Sequence, residues 1–225
     1  MKKYIEVTSV FLLAVLFFFS SCSTTRYVVP IKKGEQRITA NIGGPLIHYS
    51  GLIIPVPLTA VGYAYGVNDH LTAYGNFHTT ALAFGVFELD AGVVQNIIEQ
   101  KKCQPGISVN GVANAMLDKW KSEFRFYPEV DVNAYWHYRN KQSFVYTGIS
   151  NWFELQSTGA NDRKQTAHLL PSIYAGHTFC RNKIDYSLEA KWIAPFTYNK
   201  DIVVDYAGAG NSGTFGIYFS LSKKF

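Results

Sequence analysis

The sequence predicts an all-β fold: an antiparallel up-and-down transmembrane β-barrel of ten strands, or eight if strand 35–44 or strand 142–155 is misread. Three observations carry this. Apolar and polar residues alternate with a period of two over stretches of 10–15 residues, and no segment shows a helical period. Most of these stretches exceed the 5–6 residues usual in soluble strands and match the roughly 9–11 that a tilted strand needs to cross a bilayer. The composition is 48% hydrophobic and 16% aromatic but only 16% charged, with 15 Tyr and 16 Phe in 225 residues. That leaves too much apolar surface for a disordered chain. A helical membrane protein is excluded, because the one long apolar run, 10–19, is half of a spanning helix. The net charge of +5 is scattered, with no basic block to suggest nucleic acid.

The candidate strands are 35–44, 57–67, 70–83, 86–98, 106–117, 124–138, 142–155, 166–179, 183–195 and 213–225. The last is the clearest. Phe215, Ile217, Phe219 and Leu221 make one face and Gly216, Tyr218, Ser220 and Ser222 the other, before the chain stops at Phe225. In 124–138 an apolar face from Phe124 to Trp136 opposes Arg125, Tyr127, Glu129, Asp131 and Asn133. In 184–194 the faces are Ile184, Tyr186, Leu188, Ala190 and Trp192 against Asp185, Ser187, Glu189 and Lys191. Connections after strands two, four, six and eight are short; those after one, five, seven and nine are longer. Transmembrane barrels alternate in that way, and an even strand count puts both ends of the barrel domain on the short-turn side.

Alternation alone does not say which face is inside. Two features place the polar face in the lumen. Its charges can pair across or along the wall, Arg125 with Glu129 or Asp131, and Asp185 or Glu189 with Lys191. Aromatics also mark the ends of the apolar faces, Trp136, Phe179 and Phe225 at the short-turn end and Phe153 and Trp192 at the loop end, as in interfacial girdles. The inward charges are then Arg37, Glu88, Asp90, Arg125, Glu129, Asp131, Asp185, Glu189 and Lys191. They can form a cation-preferring pore, a binding site or a self-paired plug. A barrel this narrow favours the plug.

Three local patterns resemble known families. The opening, Met1-Lys2-Lys3, then the apolar run, then Phe19-Ser20-Ser21-Cys22, resembles a bacterial lipoprotein signal, with Phe19 where Leu is usual. The resemblance implies that residues 1–21 are a signal peptide and that Cys22 is acylated, leaving 22–34 as a short polar tether to the barrel domain 35–225. The terminal strand 216–225 with its closing Phe225, and the strand–turn–strand 63–75, resemble the small outer-membrane β-barrels of Gram-negative bacteria. That implies outer-membrane lipids and the barrel-assembly machinery as partners, both termini on the periplasmic side, and a non-enzymatic structural, small-pore or small-molecule-binding role. His48-Tyr49-Ser50 resembles the His-x-Ser motif of outer-membrane lipid A deacylases, which implies a hydrolase with His48 activating Ser50. No acidic neighbour to orient His48 stands out. A third alternative is a soluble, lipid-tethered, ligand-binding barrel with its apolar face inside. No cofactor or metal pattern appears. Cys103 and Cys180 fall four strands apart, beyond disulfide reach, and are expected to be free thiols.

Overall fold

The computed structural model describes residues 26–120, 122–140, 142–158, 164–199 and 205–225. The expected signal peptide 1–21 and the expected lipidation residue Cys22 lie outside them. The chain forms β1 (Gln36–Tyr49), β2 (Leu52–Pro55), β3 (Leu58–Asn68), β4 (Leu71–His78), α1 (Thr79–Ala83), β5 (Val86–Ile98), β6 (Gly106–Asp118), β7 (Glu123–Tyr138), β8 (Ser143–Phe153), β9 (Leu169–Phe179), β10 (Ile184–Tyr198) and β11 (Ser212–Lys224). Each wall strand pairs antiparallel with both neighbours, β2 pairs antiparallel with β1 alone, and β11 closes onto β1 from Arg37 opposite Lys224 to Pro45 opposite Gly216. The result is a closed barrel of ten strands plus one outer strand. Closure leaves the ten-stranded wall with no free edge, as lipid requires of a spanning sheet.

The ten expected strands coincide with the ten of the wall, and two details differ. The segment 70–83 stops being a strand at His78. There the hydroxyls of Thr79 and Thr80 both meet the Thr59 hydroxyl at 2.7 Å, Thr80 also accepts the Thr59 amide at 2.8 Å, and the chain turns into α1. The expected loop 45–56 is instead a hairpin that prolongs β1 and adds β2, with Leu46 opposite Pro55 and Tyr49 opposite Leu52. Ser50 and Gly51 form its two-residue turn at φ of 49° and 82°, the double left-handed geometry that suits a tight hairpin.

The faces sort as the alternation requires. Val61, Leu89, Val93, Val130, Val132, Ile149, Ile173, Leu188, Ile217 and Phe219 are all exposed on the outer wall. Thr72, Ser108, Asn110, Asn114 and Asn133 are buried inside. A soluble barrel holding an apolar ligand requires the reverse. Inside, tyrosines lie across glycines on the adjacent strand, with Tyr74 opposite Gly92, Tyr135 opposite Gly106, Tyr146 opposite Gly176 and Tyr174 opposite Gly148. A Cβ on Gly148 would stand 2.6 Å from the Tyr174 ring, and one on Gly92 2.7 Å from that of Tyr74. The missing side chains are what let the rings lie flat and fill the lumen.

Candidate functional site

The site is the lumen, and its main departure from the sequence reading is the segment before β1. Residues 26–34 of the expected polar tether run back into the barrel mouth at the end of the short turns, here the turn end. Backbone bonds start the fold-back: Gly66 donates to the Glu35 carbonyl at 3.0 Å and Gly34 to that of Gly66 at 2.8 Å. The Lys33 amide then donates to Asp69 Oδ1 at 3.0 Å, the Ile31 amide to Thr72 Oγ1 at 2.8 Å, and Ser108 Oγ to the Val28 carbonyl at 2.6 Å. Wall side chains thus satisfy the backbone of a strap that has no strand partner of its own. Ile31 packs with Ala64, Tyr74 and Val112, and Val28 with Tyr135, Phe144, Tyr146 and Tyr174. Burying a Val or Ile fully contributes about 1.5–3 kcal/mol.

Arg26 ends the strap in the densest part of the lumen. Its guanidinium meets Glu129 Oε2 at 2.5 Å and Asp131 Oδ2 at 3.0 Å, with only 6%, 2% and 4% of the three side chains exposed. Asn110 adds a bond to Asp131 at 3.2 Å and is itself held by the Tyr74 hydroxyl at 2.8 Å. Charge-assisted bonds of this kind offset the desolvation of groups that would be costly if left single.

All nine predicted charges line the lumen, each with a partner. Lys191 lies 3.1 Å from Glu189 and over the rings of Tyr174 and Tyr218 at 5.3 and 5.0 Å; Tyr146 donates to Glu189 at 2.7 Å. Arg37 bridges Glu35 at 2.6 Å and Asp185 at 2.7 Å, and Lys224 reaches Asp185 at 2.9 Å. Toward the loop end His78 meets Asp90 at 2.8 Å and Glu88 at 3.6 Å. One expected pairing fails. Arg125 pairs with Glu123 at 2.9 Å, not with Glu129 or Asp131. Residues two apart share a face at about 6.6 Å, whereas Glu129, four on, lies about 13 Å along the strand. The reading also found six acids against three bases; Arg26 and Lys224 add two cations, and His78 gives Glu88 and Asp90 an imidazole partner.

Below the strap the turn end opens into a vestibule of about 920 Å³, lined among others by Tyr27, Arg37, His137, Asn140, Arg181 and Asp185. The Tyr27 hydroxyl ties the strap to Thr39 at 2.7 Å and Ser222 at 3.1 Å. Cys103 and Cys180 are free, Cys103 exposed and Cys180 partly buried against the Val28 cluster. Burial pushes the Cys180 thiol up from its ordinary value.

The His48 and Ser50 candidates come apart. His48 does have an acidic partner the sequence reading missed: Asp205 Oδ1 lies 3.2 Å from its Nδ1, and the His48 amide donates to the Asp205 carbonyl at 2.9 Å. Ser50, however, sits in the turn between β1 and β2 at φ 49°, so the shared-face argument for residues two apart on a strand does not apply. No hydrogen bond joins His48 to Ser50 among the described residues, and Asp205 is 79% exposed. The fold thus brings Asp205 to His48 and leaves Ser50 in the turn, outside that pair. Among the described residues no group of three His, Cys, Asp or Glu side chains could hold a metal.

No protein-family model matches the chain, and no curated protein sequence does. Solved structures do. The translocator domain of the autotransporter NalP from Neisseria meningitidis is 10% identical with a TM-score of 0.46, covering 99% of this chain and 96% of that one. An outer-membrane channel from Pseudomonas putida F1 is 8% identical with a TM-score of 0.46, covering 90% and 100%. The outer-membrane protein OprG from Pseudomonas aeruginosa is 9% identical with a TM-score of 0.35, covering 88% and 99%. At such identities a likeness extends no further than the fold.

Proposed function

We propose that the chain is a non-enzymatic barrel of a Gram-negative outer membrane, of structural type, whose lumen is closed to ions and whose turn end carries a small polar vestibule. The observation behind this is the pairing of a predominantly apolar outer wall with an inner face whose charges compensate one another. The wall suits lipid. The interior suits a plug, because a conducting lumen needs water-facing groups rather than carboxylates held at 2.5–3.1 Å by buried cations. The vestibule is the place for a small polar solute.

In this reading the turn end faces the periplasm. Ten wall strands bring Gln36 and Lys224 to that end, beside the strap. The test is gel mobility of the outer-membrane fraction, unboiled against boiled. A closed membrane barrel shifts on boiling. A protein that does not shift and that leaves the membrane when Cys22 is replaced by Ser would be a soluble tethered barrel, and the proposal would fall.

A further inference from the structure

Among the described residues the two ends of the barrel differ in charge. At the turn end Lys101, Lys102, Arg139, Arg181, Lys183 and Lys223 are all exposed, spread over three successive turns and the last strand. The acids there are fewer. Glu35 and Asp185 are engaged with Arg37, which leaves Asp69 and Glu99 exposed among the described residues. At the loop end Lys119, Lys164 and Arg125 stand among Asp118, Glu123, Glu154 and Asp205.

The turn-end cations are also held at a particular height. Arg139 lies over the Tyr138 ring at 5.7 Å, Arg181 over Phe179 at 5.9 Å, and Lys223 over Phe225 at 4.9 Å. Tyr138 and Phe179 point outward and end the apolar belt on β7 and β9. Stacking therefore fixes positive groups at the line where hydrocarbon gives way to headgroups; Arg139 and Lys223 lie clear of the vestibule, while Arg181 sits between its lining and the rim.

We infer that the turn-end rim is a binding surface for anionic phospholipid, each stacked cation taking a headgroup phosphate of the adjoining leaflet. Charge complementarity and continuity with the lipid-facing belt both select that occupant. The inference rests on the membrane-barrel reading above and adds to it a lipid preference and a polarity: the basic end seeks the phospholipid leaflet. Interfacial cations act additively on anionic surfaces, so several of them acting together should enrich anionic over zwitterionic lipid roughly tenfold or more.

The full mature chain, folded in nanodiscs of phosphatidylcholine with and without phosphatidylglycerol, tests this. Native mass spectrometry reads the lipids retained, and heat-dependent mobility reads the barrel. Phosphatidylglycerol should be enriched and should raise the unfolding midpoint. Both effects should shrink as salt is added, which needs no variant. They should vanish when the six named cations become Gln and persist in the loop-end control Lys119→Gln with Lys164→Gln. Equal retention of both lipids by a heat-modifiable barrel would overturn the inference and leave the barrel reading standing. So would a preference lost in the loop-end control, or an effect reproduced by inorganic phosphate in solution. No mobility shift in either lipid would overturn both.

Discussion

The outer wall and the lumen are built from the same strands, residue by alternate residue, yet they are held together differently. Outside, Val130, Val132, Leu188 and Ile217 are exposed on the wall, where any apolar side chain of similar size should serve against lipid. Inside, the charged groups and several tyrosines depend on particular partners: Arg26 on Glu129 and Asp131, Lys191 on Glu189, Tyr174 on Gly148 and on Asn133 at 2.5 Å. The wall is specified by composition and the lumen by geometry. A change of one residue should therefore matter far more inside than outside, unless it brings charge into lipid.

The largest effect is expected at the strap. Arg26→Ala leaves two buried carboxylates without their cation and should destabilise the barrel by about 3–5 kcal/mol, read as a fall in the heat-mobility midpoint. Adding Glu129→Gln and Asp131→Asn should recover most of that loss. A neutral Arg26→Ala would mean that the strap does not hold the lumen together. Next comes a charge placed on the wall: Val130→Arg should cost about 2–4 kcal/mol if that position lies near the bilayer midplane. Val130→Leu should stay within about 0.5 kcal/mol. A costly Val130→Leu would blur the contrast between the two faces.

Smaller effects refine the lumen. Gly148→Ala puts a methyl group against the Tyr174 ring and should cost about 1–3 kcal/mol, while the same change at Gly111, whose Cβ would meet nothing within 4 Å, should cost less. The smallest effect is one of rate. A maleimide should label exposed Cys103 before Cys180, whose thiol is partly buried and pushed up. Raising the pH should narrow the gap, because a raised thiol needs more alkaline solution to ionise.

That division explains what could be read from the sequence. The wall was legible because a period of two is a local pattern, and strands such as 124–138 and 213–225 carry it plainly. So were the nine lumen charges, which simply occupy the other parity. Their pairing was not, because partners such as Arg26 and Asp131 are 105 residues apart. Two misses did have local signals. The strap contains Tyr27, Val28, Val29, Pro30 and Ile31, an unbroken apolar run that is out of place in a solvated tether. The loop 45–56 contains Ser50-Gly51, a turn dipeptide between apolar flanks, which marks the hairpin β1–β2. The partner of His48, Asp205, lies 157 residues away with no local signal.

A closed lumen is the claim on which the rest turns, and conductance tests it most directly. Heat-modifiable protein reconstituted in a planar bilayer should give a flat trace across applied voltage, because the strap and the paired charges around Arg26 and Lys191 fill the passage. Steady, voltage-independent steps of ion current from the wild-type protein would contradict it, and would mean that the cations and carboxylates of the lumen line a pore.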